Sequence, residues 1–339
     1  MSQKIGRSTL LLNSYPSVKA FAAIVGKKEG EGPLARHFDV IFDDTTLGEE
    51  TWEKAESRMQ REAVIKALEK AKSASTEIDF IFAGDLLNQC ISSHYGLRDL
   101  NIPFYGLYGA CSTMAEGLSL ASIFVDNGLA KHAMAVTSSH FCSAERQFRL
   151  PLEYGGQRPP TSQWTATAAG AAMVAESAGP PYVKATCAGT ITDLGIKDIN
   201  NMGAAMAPAA AHTIKTYLYD SHTAPQDYDL IITGDLGMIG SDLLIDLLKR
   251  EGIDISKVHN DCGKLLYDLE AQDVHAGGSG AGCSASVLCS YLLTRIQEGA
   301  LQNVLFVATG ALMSTTSFQQ GETIPGIAHL VHLTYQKGN

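Results

Sequence analysis

Ile78-Asp79-Phe80-Ile81-Phe82-Ala83-Gly84-Asp85-Leu86 recurs later in the chain as Tyr228-Asp229-Leu230-Ile231-Ile232-Thr233-Gly234-Asp235-Leu236. Each copy is an acid, an apolar run and a Gly-Asp-Leu end. The runs Phe80-Ile81-Phe82 and Leu230-Ile231-Ile232 are apolar at consecutive positions. That pattern suits strands buried on both faces, in a sheet covered by helices on either side. A second pair of segments repeats too. Cys111-Ser112 opens a helical stretch that reaches Asn127-Gly128-Leu129, with a strand following at 132–137. Cys283-Ser284 opens another that reaches Glu298-Gly299-Ala300, with a strand at 303–308. In both, glycine stands where a helix C-terminus is expected. A repeat so widely spaced indicates a duplicated α/β fold and not a short-period solenoid. The halves divide near Gly179-Pro180-Pro181, giving residues 1–179 and 180–339.

The remaining elements agree with an α/β reading. Residues 53–73 carry apolar side chains at 55, 59, 63, 64, 67, 68 and 71, a helical stripe. Residues 204–219 and 242–249 read as helices, and short β-like runs occur at 8–12, 38–42, 182–187 and 329–335. The segment 141–165 differs. It holds Arg146, Arg149 and Arg158 among Pro151, Gly155, Gly156, Pro159 and Pro160. It reads as a long irregular excursion with clustered positive charge, the kind of loop that walls a pocket.

Composition sets bounds on function. The chain has 339 residues, 45% hydrophobic and 18% charged, with a formal net charge of -10. Such a balance argues against non-specific nucleic-acid binding, which needs an excess of Lys and Arg. Seven cysteines show no disulfide-type spacing, and Met1-Ser2-Gln3-Lys4-Ile5-Gly6-Arg7 lacks the apolar core of a signal peptide. Synthesis in a reducing, cytoplasmic compartment follows. No apolar run approaches the ~18 residues of a membrane span, so any membrane association is peripheral or through partners.

Three clusters carry candidate chemistry. Gly106-Leu107-Tyr108-Gly109-Ala110-Cys111-Ser112-Thr113 places a thiol at a strand-to-helix junction. The helix dipole there favours a thiolate, and backbone N–H groups can hold an oxyanion or a carboxylate. Ordinary packing of a small buried cysteine is the competing explanation. Lys257-Val258-His259-Asn260-Asp261-Cys262-Gly263 offers a histidine beside a candidate N-cap. Asp273-Val274-His275-Ala276-Gly277-Gly278-Ser279-Gly280-Ala281-Gly282-Cys283 offers a second histidine beside backbone that a ligand can approach closely. This glycine-rich loop occupies the repeat position of the Cys111 turn, so the duplication brings both to one central site. There is no Cys-x-x-Cys pair and no phosphate-binding glycine motif, so no metal and no nucleotide cofactor is expected.

These residues resemble the thiolase superfamily of thiolases and ketoacyl synthases over nearly the whole chain. The carriers are Gly109-Ala110-Cys111-Ser112-Thr113, Trp164-Thr165-Ala166-Thr167-Ala168-Ala169-Gly170-Ala171-Ala172, the His259 and His275 clusters, and Val307-Ala308-Thr309-Gly310-Ala311. The resemblance implies a five-layer αβαβα fold of two similar halves. Gly109-Ala110-Cys111-Ser112-Thr113-Met114-Ala115-Glu116-Gly117 and the run 273–280 are closer to one branch, and resemble the stage V sporulation protein AD family of spore-forming bacteria. That branch implies binding of dipicolinic acid (pyridine-2,6-dicarboxylate). It also implies help with uptake of that acid and calcium into the developing spore. The implied setting is peripheral, at the forespore or spore inner membrane, with other stage V sporulation protein A components. The superfamily is commonly dimeric, which allows a homodimer.

Carried over by position, Cys111 falls on the superfamily nucleophile and His259 on a catalytic histidine of initiating ketoacyl synthases. His275 falls near the histidine of the thiolase Gly-His-Pro motif, with Ala276 in place of the proline. The asparagine of initiating synthases aligns near Ala281, and the second thiolase cysteine near Ala308, so both are lost. Two expectations follow. In the first, Cys111, Ser112, His259, His275, Gly277 and Gly278 hold a dicarboxylate without chemistry, with Arg146, Arg149 or Arg158 adding bidentate contacts. In the second, Cys111 is the nucleophile of an acyltransferase or condensing enzyme, served by His259 or His275.

Overall fold

The computed structural model describes residues 2–148 and 158–338. Ten strands carry the two halves. In the first these are β1 (Ser17–Val25), β2 (Phe80–Gly84), β3 (Phe104–Gly106), β4 (His132–Ser139) and β5 (Ala168–Ala175). In the second they are β6 (Tyr182–Cys187), β7 (Leu230–Thr233), β8 (His259–Asp261), β9 (Asn303–Ala311) and β10 (Gly326–Thr334). Along the sheet the order is β8-β7-β9-β10-β6-β1-β5-β4-β2-β3. Reading outward from the middle, each half therefore runs first, fifth, fourth, second, third. The two sets meet at β6 and β1 through a single paired position, Tyr182 with Ser17.

The helices repeat in the same way. In the first half they are α1 (Trp52–Ala71), α2 (Ile91–Leu97) and α3 (Thr113–Asp126); the short α4 (Phe141–Phe148) follows β4. In the second half they are α5 (Met202–Ser221), α6 (Gly237–Arg250) and α7, which starts at Ala281–Val287 and continues to Gln297 through one wider turn. The amphipathic stripe expected at 53–73 is α1. Its buried residues Ala55, Met59, Ala63, Val64 and Ala67 pack on Ile81, Met134 and Met173 of the first sheet. Helices α5 and α6 cover the second sheet through Met206, Ile214, Leu244 and Leu248. A third cluster joins α3 and α7 to both sheets through Met114, Leu118, Ala285 and Leu288. The result is the five-layer αβαβα arrangement.

One feature of the sequence reading changes. The excursion at 141–165 is not wholly irregular, because residues 141–148 form α4. Phe141 on that helix stacks on Trp164 with ring centroids 3.9 Å apart, which ties the segment's two ends together. Arg149 lies outside the described residues.

The two middle helices pack very closely on the strands. A Cβ at Gly170 in β5 would lie 2.5 Å from the carbonyl oxygen of Ala285 in α7. Only glycine lets the strand and the helix meet there.

Candidate functional site

Cys111 sits in a single 3-10 turn, Ala110–Ser112, that runs directly into α3. Ala110 holds a left-handed φ of 52°, an uncommon conformation for a residue with a side chain. The turn is closed by its own bonds. Ser112 donates through its N–H at 3.2 Å and its hydroxyl at 2.7 Å to Gly109 O. Thr113 Oγ1 donates to Ala110 O at 2.6 Å.

The strand end of the other half delivers Asp235 to the sulfur. Asp235 is fully buried after β7. Its carboxylate accepts from Thr309 Oγ1 at 2.8 Å, Gly280 N at 2.9 Å and Ser279 Oγ at 3.2 Å. Burial pushes the Asp235 carboxyl up, and the neighbouring Cys111 thiol and these donors pull it back. Burial and then the Asp235 charge push the Cys111 thiol well above its ordinary value. The helix start favours a thiolate, and burial beside Asp235 opposes it. Beside Asp235, Asp261 accepts from Thr233 Oγ1 at 2.6 Å and from the N–H groups of Leu236, Gly237 and Gly263, each at 2.9 Å. Burial is the first cause that raises Asp261, to about 7.

The other residues singled out in the sequence go elsewhere. His259 lies on the edge strand β8, its Nε2 3.1 Å from Thr233 Oγ1. Burial pushes its pKa down to about 4, so the ring is neutral. His275 places Nδ1 2.9 Å from Pro159 O and Nε2 3.1 Å from Asp273. Arg158 donates to Asp273 at 2.7 Å and lies over the Trp164 ring. Arg146 is paired with Glu53 and lies over Trp52. The N–H of Gly277 is taken by Val274 O at 3.1 Å, and Gly278 is laddered against Trp164. From the glycine-rich loop it is Ser279 and Gly280 that reach the Cys111 site. Sequence reasoning missed Asp235 and Thr309. The signal for Asp235 was present in the repeated Gly-Asp-Leu.

Cys111 opens onto a cavity of about 360 Å³, within the range of small-molecule sites. Leu86, Phe148, Met202, Met206, Leu312 and Met313 make its wall mostly apolar. Tyr108, Glu145, Thr165, Ser279, Ser314 and Ser317 supply polar groups. Among the described residues no Lys or Arg lines it. Of the described residues proposed from the sequence as ligand contacts, Cys111 alone is in this lining.

The family profile of stage V sporulation protein AD matches residues 6–334. Stage V sporulation protein AD of Bacillus subtilis (strain 168) is 45% identical over 324 residues, covering 96% of both chains. Among solved structures, 3-oxoacyl-[acyl-carrier-protein] synthase III from Aquifex aeolicus VF5 shares 15% identity at a TM-score of 0.57. That match covers 94% of this chain and 100% of the other. An OleA variant from Xanthomonas campestris shares 14% identity at a TM-score of 0.58, covering 98% of this chain and 100% of the other. At such identities the likeness is one of fold: the thiolase-like architecture of condensing enzymes.

Proposed function

This chain belongs to the stage V sporulation protein AD family, and from that premise we propose that it is a sporulation protein that binds dipicolinic acid in the Cys111 cavity without turning it over. The observation that carries the reading is Asp235. Its buried carboxyl lies beside Cys111 and opposes ionisation of the thiol that acyl chemistry would need as nucleophile. With His259 and His275 bonded elsewhere, the site is built to hold a molecule rather than to transfer an acyl group.

The charge of the cavity favours one form of the ligand. Among the described residues the lining holds no Lys or Arg to pair with a free dianion. In the calcium chelate both carboxylates are engaged by the metal, and the flat ring remains for the apolar wall. We therefore propose the calcium chelate as the bound species. The proposed setting is the forespore inner membrane, alongside other stage V sporulation protein A components. No described helix is long and apolar enough to cross a membrane, and the proposed attachment is peripheral, through those components.

Calorimetry tests the binding. Heat is expected on titrating dipicolinate with equimolar calcium, and little with dipicolinate in chelator. Absence of heat with the chelate would remove the proposal. The apolar wall above Cys111 also suits an acyl chain, which keeps an acyltransferase as the second reading. Intact mass after incubation with a panel of acyl-CoA thioesters decides it: an acyl adduct on Cys111 would establish that chemistry.

A further inference from the structure

Two buried carboxylates outside the cavity have no part in the site described so far. Glu56 of α1 and Asp85 at the end of β2 are 1% and 0% exposed. Glu56 accepts from Ser138 Oγ of β4 at 3.0 Å and from Ser143 Oγ of α4 at 2.7 Å. Asp85 accepts from Leu87 N at 2.9 Å, Ser93 N at 2.8 Å and Ser93 Oγ at 2.7 Å. Between them Gln60 donates to Gly84 O, Ser93 Oγ and Ser138 Oγ, and its own Oε1 has no partner.

These bonds reach both sides of one cavity wall. Ser143 belongs to the helix that carries Ala144, Glu145 and Phe148 into the Cys111 cavity, and Asp85 immediately precedes Leu86 on the same wall. We propose that Glu56 and Asp85, linked through Ser138, Gln60 and Ser93, act as a coupled pair that fixes this wall, so that the cavity closes on its ligand when the pair holds a proton and loosens when it does not.

Burial first, and the Asp85 charge second, raise Glu56 to about 8, and burial raises Asp85 as well. Two charges buried on either side of Gln60 repel strongly. Full ionisation therefore strains elements that the network holds together while one carboxyl keeps its proton. Besides Ser143, the groups facing the pair are His94 of α2, Cys90 and Tyr108, all acting on or through Asp85. Burial raises both the Cys90 thiol, to about 11, and the Tyr108 phenol, so neither ionises with the pair. The ring of His140 points away, to Thr45 O.

The consequence for ligand affinity rests on the function proposed above, but the wall itself can be read without ligand. The chain's two tryptophans both touch α4, Trp164 through Phe141 and Trp52 through Arg146. Tryptophan fluorescence of the ligand-free protein is expected to show a transition between pH 7 and 9 that Glu56→Gln and Asp85→Asn each abolish and His94→Gln retains. The same transition in wild type and Glu56→Gln, or its loss in His94→Gln, would overturn the proposal. In calorimetry with the calcium chelate, wild-type affinity should fall about tenfold from pH 6.5 to 9, while Glu56→Gln holds the affinity of pH 6.5 throughout. Equal pH dependence in the two proteins would also overturn it. A fluorescence transition with no chelate binding at any pH would refute the ligand assignment and leave the pair standing.

Discussion

The buried carboxyl of Asp235 opposes ionisation of the Cys111 thiol. The two residues come from opposite halves of the chain, the first from the turn into α3 and the second from the end of β7. Their pairing sets the chemistry of the site more firmly than either residue's place in a motif.

The pair makes Cys111 a slow thiol. Its ionisation is opposed by burial and by a neighbouring negative charge. Alkylation by iodoacetamide at pH 8, followed by peptide mass spectrometry, should find Cys111 reacting more slowly than a free cysteine. In Asp235→Asn the charge is gone. Each unit by which the thiol pKa falls raises the thiolate fraction about tenfold, and the rate by about threefold, because a less basic thiolate is a weaker nucleophile. An unchanged rate in Asp235→Asn would show that the carboxylate does not govern the sulfur.

Cys111→Ala separates pocket from nucleophile. Binding of the calcium chelate should persist within about threefold, because one thiol is a small part of a largely apolar wall. Failure in a spore-forming host of a variant that folds and still binds would restore a chemical role to the sulfur.

Stability should fall from pH 6.5 to 8.5. Glu56 is raised from its ordinary 4.5 to about 8. Between those values the folded protein keeps a proton that the unfolded chain has lost, so rising pH favours unfolding. Buried His259 and His329 are lowered to about 4 and His332 to about 3, which gives the opposite slope. Their contribution is present above about 6.5 and is lost as pH falls below it. Above 6.5 the slope comes from Glu56, from Asp261, raised to about 7, and from the other carboxyls that burial raises, Asp85, Asp235 and Glu29 among them. Urea midpoints should show it, at no more than about 1.4 kcal/mol per pH unit for each proton, and Glu56→Gln should make it shallower.

Gly170→Ala tests the packing between the halves. The added methyl would sit 2.5 Å from the Ala285 carbonyl oxygen, and neither the central strand nor α7 can yield easily. A loss of about 1–3 kcal/mol is expected in urea unfolding. A neutral result would mean that the middle layer is looser than its contacts indicate.

The layered fold was legible in the sequence because its signals are local. Runs of consecutive apolar residues at 80–82 and 230–232, a helical stripe at 55–68, and glycines closing two helices each report on neighbours along the chain. Cys111 was legible for the same reason. Its partner was not. Asp235 appears in the sequence as the end of a repeated strand, and nothing local says that β9 and the glycine-rich loop will fold Thr309, Ser279 and Gly280 around it. His259 failed in the opposite sense. It occupies a catalytic position in the linear motif, yet its ring turns to Thr233 on the neighbouring strand. The helix at 141–148 was obscured by the Pro and Gly that follow it.

The bond from Gly280 N–H to Asp235 has a consequence for selectivity. A carboxylate on the same chain is a tethered competitor, present at an effective concentration that dissolved ligand cannot match. A free carboxylate could use the Gly280 N–H only by displacing Asp235 and leaving it buried with one donor fewer. The Gly280 donor is thus spoken for within the fold, and capture of an anion has to draw on other groups.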